Sequence, residues 1–340
     1  MLEVGIATGC TISVILFSAA MNLIVKSVEK MSHGPVTISG VCHPPTRAFM
    51  DDMKITARSV PEGRWMLEDL ERLISWARMK FKPAKSRSLV LKKGKVQDRF
   101  RFKIQGERVP TVTEQPVKSL GKWFRSSLSD KDSMKEMRQQ VDGWMNAVDK
   151  SGLPGKFKAW IYQHGVLPRL LWPLLVYNVP LTTVEPMEKR LNGYIRRWLG
   201  VPRSFSSIGL YSSGSKLQLP LSSVTEEYKV TKARQVMMLR DSADVKVSGA
   251  RVEVNTGRKW RADKAVQDAE SKLRHGDIVG TTTSGRLGLG CVTRASWKAA
   301  SVNERRKMVQ SEIRSTEEET RQAAATAMKK QGSWLRAGAK

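Results

Sequence analysis

The apolar positions of this chain follow one rhythm in its first part and another further along. Residues 11–25 are mostly apolar, and the helical stretch runs from Ile12 on to about Lys30. They predict a buried helix entered from a tight turn at Gly9. Residues 36–42 read as a short strand, between the turn His33-Gly34-Pro35 and the breaker Pro44-Pro45. Residues 49–55 read as a strand–turn–strand hairpin with Asp51 and Asp52 at its tip. Over residues 66–79 the period becomes helical: Leu67, Leu70, Ile74 and Ala77 share a face, opposite Glu68, Asp69, Glu71, Arg72 and Arg78. Pro83 stops that helix, and residues 88–91 read as a strand. Strict alternation comes next, with Phe100, Phe102 and Ile104 facing inward, a turn at Gly106 and a return over residues 108–112. Residues 117–124 read as one further strand with Gly121 inside it.

From Ser129 onward the helical period takes over. Ser129 with Asp132 is a cap, and Met134, Met137, Val141, Trp144 and Val148 form a stripe ended by Gly152 and Pro154. Residues 157–164 predict a short helix, and residues 167–175 a buried, Pro-broken apolar piece. Thr182, Glu185 and Pro186 open another helix. Its Met187, Leu191, Ile195, Trp198 and Leu199 face a core, while Lys189, Arg190, Arg196 and Arg197 stand opposite or on the flanks. Residues 203–300 look less regular, with an extended apolar piece at 217–221 and a helix candidate at 224–240. Their glycines at 280, 285, 288 and 290 fit neither a dinucleotide nor a P-loop pattern. Ser301 and Glu304 form a capping box that starts a polar helix running to about residue 331. Its near-heptad seam, Val302, Val309 and Ile313 onward, is weak and fits a solvated helix or a partner helix equally. The expected divisions are residues 1–127, 128–215, 216–300 and 301–340.

Composition narrows the partners. The chain has 340 residues, enough for about two domains, and its 40% apolar and 27% charged content is globular. A formal net charge of +27 calls for a polyanion, either nucleic acid or an anionic membrane surface. Ten Trp beside that charge favour nucleic acid. A membrane partner is not expected. Residues 11–25 fall short of the ~20 residues of a span, are interrupted by Ser13, Ser18 and Asn22, and lack the basic flank of a signal peptide. Cys10, Cys42 and Cys291 are odd in number and far apart, so neither a disulfide framework nor a zinc site is expected. This composition suits an intracellular protein, nuclear or cytoplasmic.

The candidate chemistry sits at Asp51-Asp52. Adjacent carboxylates ~4 Å apart repel by about 4 kcal/mol at an effective dielectric of 20. A pair that interrupts an apolar segment therefore wants a cation. Mg²⁺ suits it, because that ion is held by one or two carboxylates plus substrate phosphates, as in two-metal phosphoryl transfer.

The order of motifs adds a resemblance that covers most of the chain. Gly9-Cys10-Thr11-Ile12-Ser13 with Leu16-Phe17 resembles motif B of non-LTR (LINE-type) retrotransposon reverse transcriptases. Phe49-Met50-Asp51-Asp52 resembles motif C, and Trp76 through Ser86 is similar to motif D. Lys118-Ser119-Leu120-Gly121-Lys122-Trp123-Phe124 resembles the primer-grip strand. Residues 195–202 and the Leu219-Pro220 segment resemble the thumb and post-thumb region.

The resemblance implies an α+β fold: a partial palm of antiparallel sheet with helices, then a mostly helical thumb and a polar C-terminal helix. It implies nucleotidyl transfer onto a DNA primer over an RNA template. Asp51 and Asp52 would be ligands of Mg²⁺ or Mn²⁺, held weakly, and Lys82 or Lys85 would lie near the pyrophosphate. Gly9 and Cys10 would touch the incoming nucleotide. Lys118, Lys122, Lys189, Arg190, Arg196 and Arg197 would contact nucleic acid. Two departures stand out: Thr8 replaces the family's usual Gln, and Val14 its usual Pro. The chain also opens at motif B, so the expectation is a truncated element, inactive alone, with an upstream fingers and motif A fragment as a further partner. The alternative is a non-catalytic basic protein that binds RNA or DNA.

Overall fold

A computed structural model describes residues 11–36, 40–211, 221–275 and 289–328. The chain forms two compact units: Met1–Ser129 with Ala243–Arg251, and Asp130–Ser242 with Val252–Lys340. The fold is α+β, mainly helical, with small antiparallel ladders.

In the first unit, helix α1 (Thr11–Met31) lies against α2 (Val60–Trp76), and between them in sequence is the hairpin of β1 (Thr46–Phe49) and β2 (Asp52–Ile55). Met21, Ile24 and Val28 pack on Met66, Leu70 and Ile74, and Met53 and Ile55 close the side of this core. The helix α1 is not the buried helix its sequence predicts, because Ile12, Ile15, Leu16 and Leu23 are exposed. A small two-helix core needs only one face of it. Its bounds are close to the predicted 12–30, but the expectation that this stretch falls short of a span is corrected: Ile12–Met31 has the length and composition of one.

Of the strand expected over residues 36–42, the described residues keep a single bridge, from Val36 to Cys42. Just before it, Gly34 has φ +63°, and a Cβ there would collide with the His43 carbonyl oxygen. The turn is closed too tightly to run on into a ladder.

Helix α2 starts six residues before the predicted position. Ser59 caps it, accepting from the Glu62 N–H at 3.3 Å, and Pro61 occupies the first turn. The cap signal outweighed the later onset of periodicity. Glu62 also accepts from the Ser32 hydroxyl at 2.7 Å and the Arg58 N–H at 2.7 Å, tying α1 to α2. Burial pulls its pKa up, but the Ser32 hydroxyl and the Arg58 N–H and guanidinium outweigh that, so the carboxyl lies below its usual 4.5. Its contribution is therefore whole above that value and is lost as pH falls through the lower folded value. Glu62→Gln should cost the first unit about 1–2 kcal/mol at pH 7, and the deficit should shrink by pH 3. Urea unfolding at both pH values tests this; a deficit that persists at pH 3 contradicts it.

Three more hairpins come next: β3 (Leu91–Lys92) with β4 (Lys95–Val96), β5 (Phe102–Ile104) with β6 (Glu107–Val109), and β7 (Val117–Ser119) with β8 (Lys122–Phe124). The predicted single strand at 117–124 is thus a hairpin. Leu120 and Gly121 both have positive φ, which makes the type I′ turn that reverses it. Among the described residues the four ladders remain two-stranded and do not merge into one sheet.

The second unit is helical. Helix α3 (Lys131–Lys150) precedes α4 (Gly155–Ile161), which continues through a π turn (Tyr162–Val166) into α5 (Leu167–Val176). The predicted Pro-broken piece is helix: Pro168 lies in the first turn after the π turn, and Pro173 is accommodated further in. Helix α6 (Leu181–Trp198) starts at the Pro180 cap, which leaves Pro186 inside it rather than in its first turn.

After α7 (Ser207–Tyr211) comes α8 (Val224–Arg240), then α9 (Val245–Ser248) in the first unit, α10 (Ala262–His275), α11 (Leu289–Ala299) and α12 (Val302–Thr326). Residues 203–300 are therefore more regular than expected; the glycines at 280, 285 and 288 and the piece at 217–220 lie outside the described residues. The predicted capping box is present at Ser301 and Glu304.

Helix α8 is the spine of this unit and packs on α5, α6, α10 and α12. Its Val224 and Tyr228 join one core with Leu170, Leu174, Val184 and Leu191, while Ala233 and Met237 join a second with Val266, Val309 and Ile313. Ion pairs reinforce the α8–α12 seam, from Arg314 to Glu226 and Glu227 and from Lys229 to Glu317. Lys232 is buried on the same helix. Its ammonium donates to the Leu175 and Tyr177 carbonyls at 2.7 and 3.1 Å, at the C-terminal end of α5.

Candidate functional site

The β1–β2 ladder pairs Phe49 with Asp52, so Met50 and Asp51 alone make the loop. Met50 has φ +54°, and Asp51 lies outside the left-handed region. Positive φ at only the first central position is the type II′ pattern, in which glycine normally fills that place. The other three hairpins turn on Lys93-Gly94, Gln105-Gly106 and Leu120-Gly121 and obey the glycine rule at their second position. The Met50 turn has no glycine; Lys93, Gln105 and Leu120 hold a similar positive φ at the first position of the other turns, each at a cost of order 1–3 kcal/mol. The ladder below the Met50 turn and the packing of Met53 and Ile55 hold it in place. On the flank, the Ser18 hydroxyl of α1 lies 3.9 Å from the Met50 sulfur.

This turn sets where the carboxylates point. Alternation puts Met53 and Ile55 toward the helices, and Asp52 and Lys54 toward solvent, with Phe49 beside Asp52 on the outer face. Asp51 and Asp52 are both exposed, and among the described residues neither side-chain carboxylate has a hydrogen-bond or ion-pair partner. Two adjacent, uncommitted carboxylates suit a hard, oxygen-seeking cation that keeps part of its water shell.

Two of the acids on α2 have structural work. Asp69 pairs with Arg72, and Glu71 accepts from the Gln105 N–H at 2.9 Å. Among the described residues no group of three or more His, Cys, Asp or Glu gathers as a metal cluster.

The remaining predicted residues are dispersed. Lys82 and Lys85 are exposed at the two ends of one 3₁₀ turn (Pro83–Lys85), where the Ser86 N–H reaches the Lys82 and Pro83 carbonyls at 3.2 and 3.0 Å. Phe81, just before that turn, packs on the same small core as Met53 and Ile55. Both lysines thus issue from a segment anchored where the carboxylate hairpin is anchored. Gly9 and Cys10 lie outside the described residues.

On the β7–β8 hairpin, Lys118 pairs across the ladder with Trp123. The Lys118 ammonium is 5.9 Å and the Arg125 guanidinium 5.8 Å from the Trp123 ring. Lys122 is half-buried.

On α6 the basic residues divide. Lys189 is exposed. Arg190 pairs with Asp142 at 3.0 Å, and Arg197 pairs with Asp149 at 2.6 Å and lies over the Tyr194 ring. Arg196 donates to the Phe205 carbonyl at 2.9 Å. Three of the four therefore also fasten α6 to its surroundings, because α3 turns Asp142 and Asp149 toward it.

The sequence reading missed how many aromatic rings reach solvent: Trp65, Trp76, Trp123, Trp160 and Trp172 are all exposed. Protein-family models and curated proteins give no match to this chain.

Proposed function

We propose that this chain descends from a non-LTR reverse transcriptase and keeps two of its tasks. It holds an RNA template and DNA primer on its basic surface, and it presents Asp51 with Asp52 to Mg²⁺ or Mn²⁺. The observation that carries this reading is the Phe49-Met50-Asp51-Asp52 turn. A loop without the glycine that the other three hairpin turns carry is kept there, and it leaves two unpartnered carboxylates in sequence at an exposed hairpin end. When bound, the metal ions would stabilise the attacking and leaving oxygens of a phosphoryl transfer. The residues' own part is to fix the carboxylate positions and, for Lys82 or Lys85, to offer charge to a leaving phosphate.

With Asp69 and Glu71 engaged elsewhere, and no third acid gathered beside the pair among the described residues, the third anchoring carboxylate would come from another polypeptide segment. The chain alone is then silent in primer extension. The test uses a labelled DNA primer on an RNA template, Mg²⁺ and four deoxynucleotides, with and without a fingers and motif A fragment. Extension is expected only with the fragment, and is lost in Asp51→Ala. Extension indifferent to Asp51→Ala, or no binding of template–primer, would overturn the reading. The second reading, a non-catalytic binder of RNA or DNA, rests on the net charge of +27 alone. Binding that weakens steeply with salt, together with no extension even in the supplemented assay, would favour it.

A further inference from the structure

The continuous helix α4–π turn–α5 sorts its side chains in an unusual way. Its aliphatic residues Leu167, Leu170 and Leu174 are buried, while Trp160 is 61% and Trp172 50% exposed. Phe157 and His164 are exposed beside them. Tryptophan seldom faces water to this extent, and several exposed aromatic rings along one helix point to a binding surface.

The π turn is what makes one face of it. In an unbroken α-helix, Trp160 and Trp172 would point about 120° apart. One inserted residue takes up a turn without adding rotation, which brings them to within about 20°. The insertion is held in place: Leu167 N–H bonds to the Tyr162 carbonyl, the Tyr162 hydroxyl to the Ser222 carbonyl at 2.9 Å, and Gln163 to Ser222 at 2.8 and 3.0 Å.

We infer that the Trp160–Trp172 face is a stacking platform for single-stranded nucleic acid. A face made to dock another helix would carry the aliphatic side chains, and here those point the other way. Instead it offers flat rings: Trp160 and His164 have centroids 4.9 Å apart, and Lys156 lies over Phe157 at 5.1 Å. Between Asp149 and Glu185 the sequence contains no acidic residue, while Lys156, Lys158 and Arg169 fall within the helix itself. Rings with cations nearby, in a stretch of chain that carries no carboxylate, suit bases and their phosphates. The two tryptophans lie roughly 18 Å apart along the axis, the span of a few nucleotides. This inference rests on the nucleic-acid reading above and assigns a strand type to one surface.

The test uses the full chain, fluorescein-labelled 20-mers of oligo(dT) and oligo(U), and an RNA·DNA duplex of the same length. Each of W160A and W172A should weaken single-strand binding ~tenfold, and the double variant still more. Duplex binding should be unchanged, and the phenylalanine replacements W160F and W172F should restore most of the loss. Both rings are exposed, so circular dichroism should match the parent. A double variant that binds single strands as the parent does, or loses duplex equally, overturns the inference and leaves the general reading standing. A change in oligomeric state with unaltered strand binding also overturns it, assigning the face to a second copy. If the parent chain binds neither nucleic acid, the proposed function itself fails.

Discussion

Lys232→Met should destabilise the helical unit by about 2–4 kcal/mol. The replacement has similar length and keeps the apolar stem, so little packing is lost. What disappears is the ammonium that the Leu175 and Tyr177 carbonyls share at the end of α5. Those carbonyls belong to the group a helix leaves unpaired at its C-terminus, where the macrodipole also favours a cation. At 2% exposure there is no room for water to replace it. Some of the loss is returned, because burying a charge is itself costly, and this keeps the figure below that of a broken buried ion pair. Urea unfolding followed by far-UV circular dichroism is the measurement. A change below about 1 kcal/mol would mean that the cap contributes little more than the buried charge costs.

Gly155→Ala should be destabilising by about 2–4 kcal/mol, against the grain of helix propensity, which favours alanine over glycine by about 1 kcal/mol. A Cβ at Gly155 would overlap the Trp198 carbonyl oxygen and lie 2.6 Å from its carbon. Both are backbone atoms, so no side chain can swing aside. The start of α4 and the end of α6 would have to move apart. The last turn of α6 carries Arg196, Arg197 and the Trp198 indole, which donates to Asp149 at 2.7 Å, and these contacts would loosen with it. A variant at least as stable as the parent would show that the two helices can separate at no cost.

Local signals were legible where one residue type decides the backbone. Ser301 with Glu304 started α12 as read. The hairpin that carries Asp51 and Asp52 was legible in outline only: it starts at Thr46, its turn is Met50-Asp51, and Asp52 opens β2 instead of sharing the tip. The failures have a common cause. A helix of 21 residues with apolar groups all round reads as buried, yet only the Met21–Ile24–Val28 stripe of α1 finds a partner. Proline content made α5 look broken, although Pro168 falls at a position where no N–H is needed. The π turn has no sequence signature, so the alignment of Trp160 with Trp172 could not be read. The double duty of Arg190 and Arg197 depends on Asp142 and Asp149, which are 48 residues away in each pair and become neighbours only when α3 and α6 pack.

The membership of Ala243–Arg251 in the first unit has a consequence for the order of synthesis. This segment, which holds α9 and brings Gly249 against the Val41 side chain, is made only after the whole run from α3 through α8. At ~5–20 residues per second, the earlier unit waits on the ribosome for several seconds with one of its pieces not yet made. A single protease cut after Ser129 would likewise not release the N-terminal unit as one piece, since its final strap stays covalently bound to the helical one.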